Sequence, residues 1–128
     1  MLYLYNERMT RRKELKEKVN ARIDELIEKT LAKWGKGGVV YPTLTYDLKG
    51  HVGGRANYMT EEIEVNYYLL DKYEDHYIKQ TIGHEYAHLV AYKYFGNAVF
   101  GEPHGPKWKA VMRSFGLKPS RCHNYETK

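Results

Sequence analysis

The sequence predicts an α+β domain with a long N-terminal helix, a small and mostly antiparallel three-stranded sheet, and further helices after it. Three observations predict it. Apolar residues recur at three- and four-residue spacing between Thr10 and Trp34; short β-branched and aromatic runs separated by glycines fill residues 39–66; helical spacing returns between Tyr77 and Phe115. With 128 residues, the chain has the size of one compact domain, and residues 1–128 are expected to form a single one.

The first helix carries Leu15, Val19, Ile23, Leu26, Ile27, Leu31 and Trp34 on its apolar face. Its other face holds Arg12, Lys13, Lys16, Glu17, Arg22 and Lys29, and Gly35, Gly37 and Gly38 end it. Three strands are then expected: Val39 to Tyr46, Arg55 to Met59, and the alternating Glu62-Ile63-Glu64-Val65-Asn66. Their connections are too short for parallel crossovers, so the sheet should be mostly antiparallel. A short helical turn follows from Tyr67 to Tyr73, and a longer helix from Tyr77 to Tyr94 ends at Gly96, with Ile78, Ile82, Leu89 and Val90 toward its inner side. Pro106 suits the first turn of a last helix through Trp108, Val111, Met112 and Phe115, which Gly116 and Pro119 stop.

Composition bounds the function. A content of 42% hydrophobic and 14% aromatic residues exceeds what a disordered chain carries. A mean hydropathy of -0.72 and the absence of any run near the ~20 apolar residues of a membrane span exclude a transmembrane helix. Met1-Leu2-Tyr3-Leu4-Tyr5-Asn6 does not read as a secretory leader, so a cytoplasmic protein is expected. The single cysteine, Cys122, permits neither an internal disulfide nor a four-cysteine zinc ribbon, leaving histidine and carboxylate as metal ligands. Charge is uneven: residues 7–36 hold ten basic and six acidic residues, residues 60–85 two and seven, residues 86–128 seven and two. Basic ends around an acidic middle suit an acidic partner such as nucleic acid.

The residues that carry chemistry are His84-Glu85-Tyr86-Ala87-His88. On a helix, positions four apart share one face, so both imidazoles can reach one ion while Glu85 stands beside them as a base toward water. Catalytic zinc takes three protein ligands and keeps one position open. His104, beyond a glycine-punctuated loop and directly before Gly105-Pro106, is the preferred third ligand. Glu102 is its nearest competitor, and Glu126 is the only other later glutamate. Ala91 and Tyr94 stand where the long metzincin pattern requires glycine and histidine, which sets that subclass aside.

These residues resemble the SprT-like, or Spartan-type, zinc metalloprotease domain. The resemblance runs through Gly54-Arg55-Ala56, Ile63-Glu64-Val65-Asn66, Leu69-Leu70, Thr81-Ile82-Gly83-His84-Glu85-Tyr86-Ala87-His88 and His104-Gly105-Pro106-Lys107-Trp108, with residues 10–125 best matched. It implies a zincin-like fold whose active-site helix presents His84 and His88, one zinc ion held by His84, His88 and His104, and Glu85 as general base. It also implies proteolysis of proteins bound or crosslinked to DNA, with nucleic acid as recruiter and stimulator, and hence a nucleoid- or nucleus-associated place of action. Lys107, Lys109 and Arg113 then become candidate phosphate contacts, while Trp108 reads as core. Arg55, Ala56 and Asn57 are a candidate edge strand for an extended peptide substrate. The zinc ribbon or tail that many members carry is not expected within these residues, and Cys122 and His123 read as structural. The readings that compete with a DNA-associated protease are a zinc peptidase with no DNA link and a catalytically silent DNA- or protein-binding module.

Overall fold

A computed structural model describes residues 2–99, 101–120 and 125. Helix α1 runs from Leu2 to Trp34, beginning eight residues before Thr10, where the sequence places its start. Leu15, Val19, Ile23 and Leu26 are buried, but the stripe turns off Leu31, which is 43% exposed, and onto Thr30, which is fully buried. Thr30 tolerates burial because its hydroxyl donates to the Leu26 carbonyl at 2.7 Å.

The strands are shorter than the apolar runs suggest: β1 is Thr43–Thr45, β2 is Gly54–Asn57 and β3 is Glu62–Val65. Their order is β1-β3-β2. β2 pairs antiparallel with β3, Ala56 opposite Ile63, whereas β1 pairs parallel with β3, Leu44 opposite Ile63. The sheet is therefore mixed, which corrects the mostly antiparallel expectation. No crossover helix is needed, because the chain passes from β1 to the far side, forms β2, and returns to fill the centre with β3. At the β2–β3 turn the Asn57 carboxamide accepts from the Met59 and Thr60 amides at 3.0 and 3.2 Å. Ile63 and Val65 point into the core and Glu62 and Glu64 away from it, as alternation requires.

Asn66 and Tyr77 then fix the segment leading into β2. Asn66 caps helix α2, Tyr67–Lys72, accepting from the Leu69 amide, and its amide group donates to the carbonyls of Gly50 and Val52 at 3.1 and 3.0 Å. The Tyr77 hydroxyl accepts from the Asn66 amide at 2.9 Å and donates to the Gly53 carbonyl at 2.6 Å. After a single turn, α3 (Glu74–His76), the backbone widens into a π-turn at Tyr77–Thr81 before helix α4, Ile82–Phe95. The helix expected from Tyr77 is thus continuous in direction, but only its part from Ile82 is α-helical.

Helix α5, Pro106–Ser114, packs on α4 through Trp108, Val111 and Met112. Gly83 lets the chain after α5 approach, since a Cβ there would lie 2.2 Å from Leu117 Cδ1. On the opposite flank, Arg11 binds Asp71 at 3.1 Å and Glu74 at 2.8 Å, and Lys18 binds Glu74 at 2.5 Å, tying α1 to the α2–α3 corner. Among the described residues no helix is long and apolar enough to cross a membrane.

Candidate metal centre

Helix α4 delivers two of the site's groups and the loop before α5 the third. His84 and His88 lie one turn apart with Nε2 atoms 3.2 Å from each other. His104 brings its Nε2 to 3.1 Å from His88 and 3.3 Å from His84. Each ring nitrogen carries either a proton or a lone pair, so of any three at least two are alike, and that pair cannot be a hydrogen bond. A closed triangle of imidazole nitrogens is therefore not a self-sufficient hydrogen-bond network. A cation at its centre satisfies all three lone pairs. Ring nitrogens bound to one zinc ion at about 2.0–2.1 Å with tetrahedral angles stand about 3.3 Å apart, so the donor set fits zinc in both chemistry and spacing. Burial, and then the neighbouring His84 and His104, push the His88 pKa down to about 2, which keeps this imidazole neutral, the form a metal requires.

Glu85 is buried beside the triangle, with Oε2 3.8 Å from His84 Nε2. Burial raises its pKa to about 8. Space for its side chain comes from Gly54 at the start of β2, where a Cβ would stand 3.1 Å from Glu85 Cγ and 3.3 Å from Thr81 Cγ2. The Asn66 and Tyr77 hydrogen bonds that fix residues 50–53 thus also set how closely β2 approaches the carboxylate. Together these groups lie in an open cleft of about 760 Å³. A buried neutral imidazole set next to a carboxylate of raised pKa is an arrangement that can hold a cation and exchange a proton.

The cleft takes in Arg55 and Ala56 of the expected substrate strand, while Asn57 turns away into the β2–β3 corner. Glu102 folds back over Gly105, where a Cβ would meet its Oε2 at 2.7 Å, and is outside the nitrogen cluster. Lys107, Lys109 and Arg113 are not part of the cleft wall. Lys109 and Arg113 share a face of α5, whereas Lys107 is turned about 200° from Lys109 and reaches over the Phe95 ring at 5.8 Å. Glu126, Cys122 and His123 lie outside the described residues.

Three residues at the site escape sequence reasoning. The Tyr58 hydroxyl lies 3.5 Å from His88 Nδ1, and its ring stacks on Tyr92 at 5.0 Å. Burial, and then the Glu85 charge, raise its pKa. Tyr125 closes the other end of the cleft, its hydroxyl 2.6 Å from both Thr81 Oγ1 and His76 Nδ1. Nothing local in the sequence marks these two among thirteen tyrosines. Trp108 is buried as expected, yet it also touches the imidazoles, which no helical spacing marks because His104 lies before α5 begins.

A family model described as the SprT-like family matches residues 5–126. The chain belongs to the SprT-like family. "Protein SprT" of Pseudomonas fluorescens (strain Pf0-1) is 33% identical over 113 residues, covering 88% of this chain and 67% of that protein. "Protein SprT" of Pseudomonas aeruginosa (strain LESB58) is 38% identical over 88 residues, 68% of this chain and 52% of the relative, and that of Pseudomonas putida (strain GB-1) is 35% identical over the same shares. This SprT-like chain thus spans from about half to two thirds of the length of the curated relatives it matches. No solved structure gives a significant match.

Proposed function

We propose that this SprT-like domain is a zinc-dependent peptidase with a zincin-like site: His84, His88 and His104 hold one zinc ion and Glu85 is the general base. The observation that carries the reading is the triangle of ring nitrogens at 3.1 to 3.3 Å with a buried carboxylate next to it. A zinc ion at that centre supplies Lewis acidity, which polarises a peptide carbonyl and makes water nucleophilic near neutral pH. Glu85, buried beside the ring nitrogens, accepts the proton of the attacking water and passes it to the leaving amine. β2 lies at the edge of the sheet, so its outer side is open to an extended peptide held by backbone hydrogen bonds with little sequence preference. Gly54 brings that edge against Glu85, which puts the bound backbone near the base.

The substrates we propose are proteins associated with or crosslinked to DNA, with DNA as the stimulating partner. The family and the basic character of residues 7–36 and 86–128 support this. On α1, Arg12 lies 4.0 Å over the Tyr67 ring and Lys16 5.0 Å over the Tyr46 ring, which gives that helix a basic and aromatic surface, whereas the α5 cations divide between two faces. The test is cleavage of a basic DNA-binding protein by the zinc-loaded domain, with and without single-stranded DNA. Cleavage that rises with DNA and disappears in Glu85→Gln supports both parts. Cleavage indifferent to DNA removes the DNA link, and cleavage surviving Glu85→Gln removes the catalytic assignment.

A further inference from the structure

The histidine triangle suits a cation only while all three imidazoles converge on one point. The three Nε2 atoms stand 3.1 to 3.3 Å apart, so a shared ion asks for close and lasting registry between two separate parts of the chain. His84 and His88 are spaced by α4 itself. His104 is not: it stands on a loop, followed by Gly105. One side chain touches all three rings. The Trp108 indole lies 4.7 Å from the His84 ring, 5.3 Å from His88, with the two planes only 20° apart, and 4.8 Å from His104 at 88°. Trp108 is fully buried, so it has little room to reorient, and its Nε1–H donates to the His84 carbonyl at 3.3 Å, fixing the indole to the backbone of the ligand-bearing helix.

We infer that Trp108 is a positioning residue that preassembles the three imidazoles, holding His104 of the α5 side against His84 and His88 of the α4 side so that the site binds its metal without first ordering the loop. The inference rests on the proposed metal reading. Two features separate this role from ordinary core filling. Neighbouring core residues on the same helix, Val111 and Met112, are equally buried but carry neither an aromatic ring to set against the imidazoles nor a side-chain N–H to anchor on the ligand-bearing helix. The indole also meets the three rings at three different inclinations, so a smaller or rounder side chain cannot restrain all of them at once. Groups that orient metal ligands from behind typically change metal affinity about 10–100-fold when replaced.

The experiment compares Trp108→Phe with Met112→Ala in the full chain. Zn²⁺ and Co²⁺ affinities are measured by competition with a chelator well below each variant's melting temperature, together with the visible spectrum of the Co²⁺ form. Trp108→Phe is expected to bind both ions about 10–100-fold more weakly and to show a shifted or broadened Co²⁺ spectrum. Met112→Ala, a buried truncation on the same helix, is expected to melt lower while keeping wild-type affinity and spectrum. If Trp108→Phe does not fold, Trp108→Tyr, which keeps a ring against the imidazoles, carries the same comparison. Equal affinity in wild type and the Trp108 variant, or equal loss in both variants, overturns the inference and leaves the zinc reading standing. A wild-type protein that binds neither ion overturns the zinc reading itself.

Discussion

Glu85 and Glu74 are both carboxylates beside cationic or potentially cationic partners, yet their surroundings push them in opposite directions. Glu74 sits on the flank between Lys18 and Arg11, and these two hydrogen-bonded cations lower its pKa. Glu85 is buried in the core-side wall of the cleft, and loss of hydration raises its pKa to about 8. In one place pairing outweighs desolvation, and in the other desolvation outweighs everything nearby. The first arrangement fastens α1 to the rest of the domain. The second sets a carboxylate, poorly hydrated, against the three ring nitrogens, where a bound cation would favour its charged form.

The largest effect should come from breaking the buried side of this contrast. Glu85→Gln keeps the shape and the three imidazoles, so zinc content should stay stoichiometric while peptide hydrolysis falls about 10²–10⁴-fold. Zinc analysis alongside a cleavage assay checks both halves. A smaller loss is expected from Gly54→Ala. Its Cβ would press on Glu85 Cγ at 3.1 Å and displace the carboxylate by a few tenths of an ångström, lowering the rate about tenfold with zinc retained. The zinc-to-protein ratio and kcat separate this from unfolding.

The two pKa directions also sharpen the comparison in the metal-free protein. Glu85 holds its proton in the folded state up to about pH 8, whereas the unfolded chain releases it near 4.5, so this residue makes stability fall as pH rises between those values. His88 acts oppositely below 6.5, where only the unfolded chain binds its proton. The Glu85 contribution is therefore most visible from about pH 6.5 to 8, as a falling melting temperature that Glu85→Gln flattens. Glu74 has the reverse sign: its lowered pKa contributes stability above about 4.5 that is lost as pH drops further. Because these ion pairs are partly exposed, Glu74→Gln should cost only about 0–1 kcal/mol near neutral pH, and high salt should erase the difference. Urea unfolding at low and high salt measures it.

Much of this architecture was legible because it is local. Helix α1, the β3 alternation, Pro106 at the start of α5 and the His84–His88 turn all follow from spacings within one element. Thr30 was missed because a polar residue can be buried when its own helix satisfies it. The parallel pairing of β1 with β3 was missed because strand order is decided by which strand fills the centre, and no local pattern encodes that. At the site, His104 could be proposed from chemistry alone, but its closeness to His88 depends on α5 packing against α4. Tyr58 and Tyr125 reach the cleft only through the tertiary fold.

The central claim is that His84, His88 and His104 together bind one zinc ion and leave a position open beside Glu85. X-ray absorption at the zinc edge of the purified domain tests it most directly. The account predicts one zinc per chain, three imidazole nitrogens at about 2.0–2.1 Å and one further light ligand, reduced to two imidazoles in His104→Ala. A closed four-residue site, a carboxylate from Glu102 in place of His104, or no bound zinc would contradict it.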